Sequence, residues 1–210
     1  GVQTCALPIW APVGGCRILD IGSGSGLIAL MAAQRNPQAT VLGIEIDESA
    51  ALQAQENMAK SPFSGRVECL VGDILSFHTE ELFDAILCNP PFFTEDTLPD
   101  DVGRALARNG RSLPFASLVS KAASLLAEEG IFSVIIPSQS VTDFVGLCLQ
   151  AGLHLSSRVL VHTTATKPPR RALLSFSRHD AVCREESLCL MSPDGGRSLE
   201  YTRLTDAFYL

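Results

Sequence analysis

Leu19-Asp20-Ile21-Gly22-Ser23-Gly24-Ser25-Gly26-Leu27 is the stretch on which the fold turns. The apolar run from Cys16 to Ile21 reads as a buried strand that stops at three glycines, and helix-forming residues follow from Leu27 to Gln34. Glycines let the backbone turn sharply and let a ligand touch the main chain. The first turn of the following helix adds N–H groups without intrahelical partners. The spacing is G-x-G-x-G. The dinucleotide fingerprint G-x-G-x-x-G would need glycine where Leu27 stands, which disfavours a dinucleotide oxidoreductase.

Outward from that loop, strands and helices alternate. Thr40 to Glu45 reads as a second strand, and Asp47 or Ser49 can cap a helix running from Ala50 to Ala59. Arg66 to Val71 and Phe83 to Cys88 are the third and fourth strands. Pro114 to Ala127 reads as a helix, Ile131 to Ile136 as a fifth strand and Val141 to Gln150 as a helix. Leu153 to Val161 and Ala172 to Phe176 are two more strands with about ten residues between them, a connection short enough only for an antiparallel pair. The tail reads as one more strand, Ser187 to Met191, then a Pro193-Asp194-Gly195-Gly196 turn and a short helix. The expected fold is therefore α/β and Rossmann-like: a mostly parallel seven-stranded sheet with one antiparallel strand and helices on both faces.

Polar residues stand where such sheets hold ligands, at the carboxyl ends of strands. Glu45 closes the second strand, placed to accept hydrogen bonds from both hydroxyls of a ribose. Asp73 closes the third, where its carboxylate can accept from an adenine amino group. With the glycine loop, whose spacing is that of S-adenosylmethionine-binding loops, they define a cofactor set: Asp20, Gly22, Ser23, Gly24, Gly26, Glu45, Ile46, Asp73, Ile74 and Asn89.

Asn89-Pro90-Pro91-Phe92 directly follows the fourth strand. Two prolines fix φ and remove two backbone donors, which leaves a stiff loop with free carbonyls. If Asn89 Oδ1 and the carbonyl of Pro90 accept the two N–H bonds of an exocyclic amine, the nitrogen lone pair is aimed away from both, towards a methyl donor. The same acceptors stabilise positive charge growing on nitrogen. Phe92 offers a flat apolar face for a planar target. Asn89, Pro90, Pro91 and Phe92 are the candidate catalytic residues.

Composition sets wider bounds. The chain has 210 residues, 46% hydrophobic and 19% charged, as in an ordinary globule, and no run approaches the ~18 apolar residues of a membrane span. A net charge of −7 is a poor match to long duplex nucleic acid but leaves room for a local basic patch. The seven cysteines show no C-x-x-C, and the four histidines are scattered, so reduced thiols and no metal are expected. Residues 1–9, Gly1-Val2-Gln3-Thr4-Cys5-Ala6-Leu7-Pro8-Ile9, look like a translated sequencing adapter and are set aside; natural sequence is expected to start near Trp10 and to form a single domain over 10–210.

Leu19 to Leu27, Glu45-Ile46-Asp47, Gln53-Ala54-Gln55-Glu56-Asn57, Asn89-Pro90-Pro91-Phe92, Leu173-Leu174-Ser175-Phe176-Ser177 and the ending Phe208-Tyr209-Leu210 together resemble the bacterial tRNA1(Val) (adenine(37)-N6)-methyltransferases, class I methyltransferases. The resemblance runs from Trp10-Ala11-Pro12-Val13 to the last residue. It implies S-adenosylmethionine as methyl donor, N6 of adenine 37 in a tRNA anticodon loop as target, no membrane partner and a monomer in the cytoplasm. It departs in two places. The family's segment before Trp10, which helps close the cofactor pocket, is replaced by residues 1–9, and Phe92 stands where relatives often have Tyr. Arg104, Arg108 and Arg111, and Lys167, Arg170 and Arg171, are placed to reach RNA phosphates near the catalytic rim. Acidic Glu95, Asp96, Asp100 and Asp101 oppose the first group. The alternatives are a ribosomal RNA guanine-N2 enzyme, a protein glutamine enzyme, or an S-adenosylmethionine-binding fragment impaired in catalysis.

Overall fold

The computed structural model describes residues 15–90 and 113–208. Three strands and two helices are laid down in strict alternation: β1 (Arg17–Ile21), α1 (Leu27–Arg35), β2 (Thr40–Glu45), α2 (Glu48–Lys60) and β3 (Val67–Val71). A 3-10 turn at Ile74–Ser76 leads to β4 (Phe83–Cys88). Then come α3 (Phe115–Leu125), β5 (Leu126–Pro137), α4 (Val141–Gln150), β6 (His154–His162), β7 (Arg171–Ser177), β8 (Arg184–Cys189) and α5 (Leu199–Thr205).

The strands form one sheet in the order β3-β2-β1-β4-β5-β7-β6-β8. All neighbouring pairs are parallel except those made by β7, which runs antiparallel to both β5 and β6. The single antiparallel strand is as expected; the strand number is not, since eight strands replace seven. The added strand is β8, at the edge. It begins at Arg184, earlier than Ser187, and of its residues Leu188 is the one that is buried. An edge strand needs side-chain burial on one face at most, and charged residues there discourage further pairing. Its Arg-Glu-Glu start therefore carries no alternating apolar signal.

A second difference lies at the α3–β5 junction. The expected helix to Ala127 ends at Leu125, and β5 starts at once with Leu126, wholly buried and paired with Phe83. The register slips between Phe83 and Ala85, so the strand absorbs Glu128, Glu129 and Gly130 as an irregularity before pairing resumes at Ile131. Apolar burial of Leu126 overrides the helical continuation that Ala127 and Glu128 would permit.

Helices cover both faces, and each encloses a core. On one face Ile18, Val41, Cys69 and Leu87 pack against Ala29 and Ala32 of α1, Ala54 and Met58 of α2, and the buried Tyr201 of α5. On the other Leu19, Ile21, Ile44 and Ile86 pack against Leu118 and Leu125 of α3 and Phe144 and Cys148 of α4. Phe144 lies at the centre of an aromatic group, 6.2 Å from Phe132, 5.9 Å from Phe176 and edge-on to Phe115 at 5.0 Å. Contacts of this geometry add about 0.5–1.5 kcal/mol per pair beyond area burial. The six cysteines among the described residues are free thiols; Cys69, Cys88 and Cys148 are buried within the expected strands and helix, and Cys16 is buried one residue before β1. Among the described residues no helix is long and apolar enough to cross a membrane.

Candidate active site

The sheet order reverses between β1 and β4, because the chain first builds outward through β2 and β3 and then returns to the other side of β1. Ligands of open α/β sheets bind at such a switch point, beyond the carboxyl ends of the strands. Register fixes what meets there. Ile21 is level with Ile44 of β2 and with Cys88 of β4, so Gly22 has Glu45 on one side and Asn89 on the other. Glu45 is level with Val71, which brings Gly72 and Asp73 to the same rim.

The glycine loop takes the conformation that its composition permits. Gly22, Gly24 and Gly26 have φ of +70°, +56° and +81°, a region costly for any residue with a Cβ. At Gly22 and Gly24 an added Cβ would meet nothing within 4 Å, so the loop leaves open space above it. At Gly26 it would lie 3.0 Å from Met58 Cε and 3.2 Å from Ala54 Cβ, so here glycine also allows α1 to start hard against α2. The loop is tied down from below, where Gly22 and Ser23 both donate to the Ile44 carbonyl at 2.9 and 3.2 Å.

Glu45 holds the loop from the side. Its Oε2 accepts from Gly24 N at 2.8 Å and its Oε1 from Asp47 N at 2.9 Å. A carboxylate offers about four lone-pair sites, so both oxygens keep capacity for a diol. Asp47 caps α2 by accepting from Ala50 N at 3.0 Å, as the sequence suggested. Asp73 is exposed, and its Oδ1 accepts from Leu75 N at 2.9 Å. Ile46 and Leu75 are exposed apolar side chains at this rim (48% and 41%), and Ile74 is buried beneath it. Asn89 is half-buried and Pro90 buried at the end of β4.

Two of the expected cofactor residues face inward. Asp20 is wholly buried, and its Oδ2 accepts from Ser23 Oγ at 3.0 Å. Asp20 Oδ1 meets no hydrogen-bond partner within bonding distance among the described residues. Burial pushes this carboxyl from 3.8 up to about 7; Ser23 and the N–H of Ala29 draw it down, and Glu45 pushes it up. Burial, aided by Asp20 and Glu45, likewise lifts the neighbouring Cys69 thiol to about 11. Asp20 and Ser23 thus support the loop from behind, with their side chains turned away from the open space.

Three further residues belong to this frame. Asn57 Nδ2 donates to the Ser25 carbonyl at 2.9 Å, tying α2 to the loop, and Gln55 Nε2 donates to the Cys69 carbonyl of β3 at 2.8 Å. Both belong to the Gln53–Asn57 stretch, whose polar residues on a helix flanking a glycine loop were the available signal. The third is Gly43, inside β2, where a strand glycine marks a close approach.

Of the basic groups, Lys167 and Arg170 lie exposed in the turn between β6 and β7, and Arg171 opens β7. Because β7 is reversed, this turn lies at the catalytic end of the sheet. Arg171 is paired with Pro137, three residues beyond the level of Cys88 and two strands from β4, roughly 10 Å across and roughly 10 Å above it. The turn is held by Ser138, which donates from N to Arg170 O at 3.2 Å and from Oγ to Pro169 O at 2.6 Å, and by His162 Nδ1, 2.8 Å from Lys167 O. Pro91, Phe92, Arg104, Arg108 and Arg111 lie outside the described residues.

Comparison with known proteins agrees with this arrangement. The methyltransferase small domain family matches residues 11–145. The chain is 40% identical to the tRNA1(Val) (adenine(37)-N6)-methyltransferase of Escherichia fergusonii and 41% identical to that of Enterobacter sp. strain 638, in each case over all of this chain and 87% of the relative. A predicted O-methyltransferase of Agrobacterium tumefaciens shares the fold, with a TM-score of 0.73 at 21% identity over 97% of this chain and 95% of that one. The chain belongs to the methyltransferase small domain family and, within it, to the tRNA1(Val) (adenine(37)-N6)-methyltransferases.

Proposed function

We propose that this chain methylates N6 of adenine 37 in the anticodon loop of tRNA1(Val), with S-adenosylmethionine as donor. One observation carries the reading: the register sets Asn89 on one side of Gly22 and Glu45 on the other, which supports a target amine held at Asn89 beside a cofactor held at the glycine loop. Identity of 40–41% over the whole chain to enzymes named for this reaction supports adenine over guanine or glutamine as the target. The protein acts as a monomer and a single domain in the cytoplasm.

The residues present suit this cofactor. Open space above Gly22 and Gly24 accepts a chain drawn close to the backbone, Glu45 accepts the ribose hydroxyls, Asp73 accepts the adenine amine, and Ile46 with Ile74 and Leu75 supplies apolar contact. When bound, S-adenosylmethionine supplies an electrophilic methyl group. Asn89 Oδ1 and the Pro90 carbonyl hold the two N–H groups of the target amine and keep its lone pair pointed at the cofactor side. This is catalysis by positioning and by charge complementarity, and it needs no strong base, because a methylated ammonium nitrogen loses its proton readily to water. Phe92 stacks on the target base once that base leaves its own stack, which costs least in a single-stranded loop. Lys167, Arg170 and Arg171 hold phosphates at the rim, as do Arg104, Arg108 and Arg111.

Asn89→Ala is expected to lower kcat by about 10²–10³ or more while leaving S-adenosylmethionine affinity nearly unchanged. A variant retaining most of its kcat would end this mechanism. Mass-spectrometric mapping of the product settles the target, since methyl label on guanine or on protein excludes adenine 37.

A further inference from the structure

Asp20, Gly43 and Cys69 stand side by side on β1, β2 and β3, paired in register, and so share one face of the sheet. Asp20 and Cys69 project side chains from that face and Gly43 projects none. The vacant position is occupied by Ser23, which folds back under the glycine loop and is 6% exposed. A Cβ on Gly43 would lie 2.6 Å from Ser23 Oγ and 3.0 Å from Ser23 Cβ, against a tolerable 3.5 Å from Cys69 Sγ. Gly43 is absent from the glycines with positive φ, so its backbone conformation does not call for glycine. Glycine also weakens a strand interior. Space for Ser23 is the requirement that remains.

From this juxtaposition we propose that Gly43 is a positioning residue for cofactor binding: it is the socket in which Ser23 seats, and the depth of that seat sets the height of the glycine loop above the sheet. The proposal rests on the glycine loop being the S-adenosylmethionine site. Two ties fix the loop backbone at the same place, Gly22 N and Ser23 N to the carbonyl of Ile44, the residue after Gly43. A third, Ser23 Oγ to Asp20 Oδ2, exists only while Ser23 is seated. A methyl group at position 43 lifts Ser23, breaks that bond and displaces Gly22 and Gly24, whose main chain the cofactor would touch.

Four proteins test this: wild type, Gly43→Ala, Ser23→Gly and the double variant. The measurements are calorimetric affinity for S-adenosylmethionine, tRNA affinity and thermal melting without ligand. Gly43→Ala is expected to weaken cofactor binding at least tenfold and to leave tRNA affinity within twofold. Ser23→Gly, which removes both crowding atoms along with the bond to Asp20, is expected to cost threefold to tenfold. In the Ser23→Gly background, Gly43→Ala is expected to cost less than twofold more. Equal losses from Gly43→Ala in both backgrounds, or a folded Gly43→Ala protein with unchanged cofactor affinity, overturn the socket. If Gly43→Ala does not fold, recovery of folding in the double variant supports the proposal and failure of both overturns it. Should wild type itself not bind S-adenosylmethionine, the assignment of the site falls. The melting temperatures then judge the socket alone, by whether Ser23→Gly relieves the loss caused by Gly43→Ala.

Discussion

Asp20→Asn is expected to remove a loss of stability that wild type undergoes as pH rises from about 4 to about 7. Asp20 sits behind the glycine loop with no solvent exposure, and burial lifts its carboxyl from 3.8 to about 7, with Ser23 and Ala29 opposing the rise and Glu45 adding to it. A tenfold change in acidity is worth about 1.4 kcal/mol, so the folded protein ionises Asp20 at a cost of about 4 kcal/mol relative to the unfolded chain. The folded-state value lies above the unfolded one. The folded state therefore binds more protons across the interval from 3.8 to about 7. The stabilisation is complete below that interval and is lost as pH rises through it. Asparagine has no proton to lose, and whatever its amide costs in this site is the same at every pH. The stability of the variant minus that of wild type should thus rise by about 4 kcal/mol between about pH 4 and about pH 7.5, or about 8–16 °C in Tm for a chain of this size. Urea unfolding of both proteins at a series of pH values measures this, because carboxylates distant from Asp20 titrate in both and cancel. A difference constant to within about 1 kcal/mol across that range would show that Asp20 is not held as a buried, under-compensated carboxyl.

Other outcomes follow from the frame around the site. Asn57→Ala removes the bond to the Ser25 carbonyl and should weaken S-adenosylmethionine binding about fivefold, the equivalent of about 1 kcal/mol; calorimetry showing no change would detach α2 from the loop. Arg170→Ala with Arg171→Ala should weaken tRNA binding and spare cofactor binding. Loss of two phosphate contacts flattens the salt dependence of tRNA affinity by a slope of about 1.4, and unchanged affinity at physiological salt removes this turn from the RNA surface. Arg35→Ala should cost about 1–3 kcal/mol of stability, since Arg35 donates to the Leu204 carbonyl and stacks at 4.7 Å on Phe208; a Tm within 1 °C of wild type would refute that.

Most of this architecture was written in local pattern. Parallel strands buried on both faces read as mostly apolar runs, and β1, β2 and β4 were placed by that rule to within a residue. The antiparallel strand was legible from the shortness of one connection, because about ten residues cannot carry a parallel crossover. What escaped was set by tertiary contact. Leu126 is a strand residue because Phe83 lies beside it, and no window around Leu126 contains Phe83. Within the site, the acidic strand ends and the glycine spacing were legible, since both are local features of the sequence. That Asp20 and Ser23 turn inward, and that Asn57 reaches the loop, depends on which face of a strand or helix meets the loop. A one-dimensional spacing does not say so.

The last helix has a bearing on when the protein becomes competent. Gln34 and Arg35, at the end of α1, hold the carbonyls of Ala207 and Leu204, contacts that span 173 and 169 positions of the chain. α1 is the helix that begins at Gly26, so its outer end is clamped by residues made well after every candidate site residue. The segment that contains Asp20, Gly24, Glu45, Asp73 and Asn89 emerges long before that clamp exists. Contacts between such distant positions pay their loop-closure entropy late in folding. The nascent chain therefore holds every candidate cofactor residue while α1 is still unfastened at its outer end, and that fastening waits until the chain as far as Ala207 has been made.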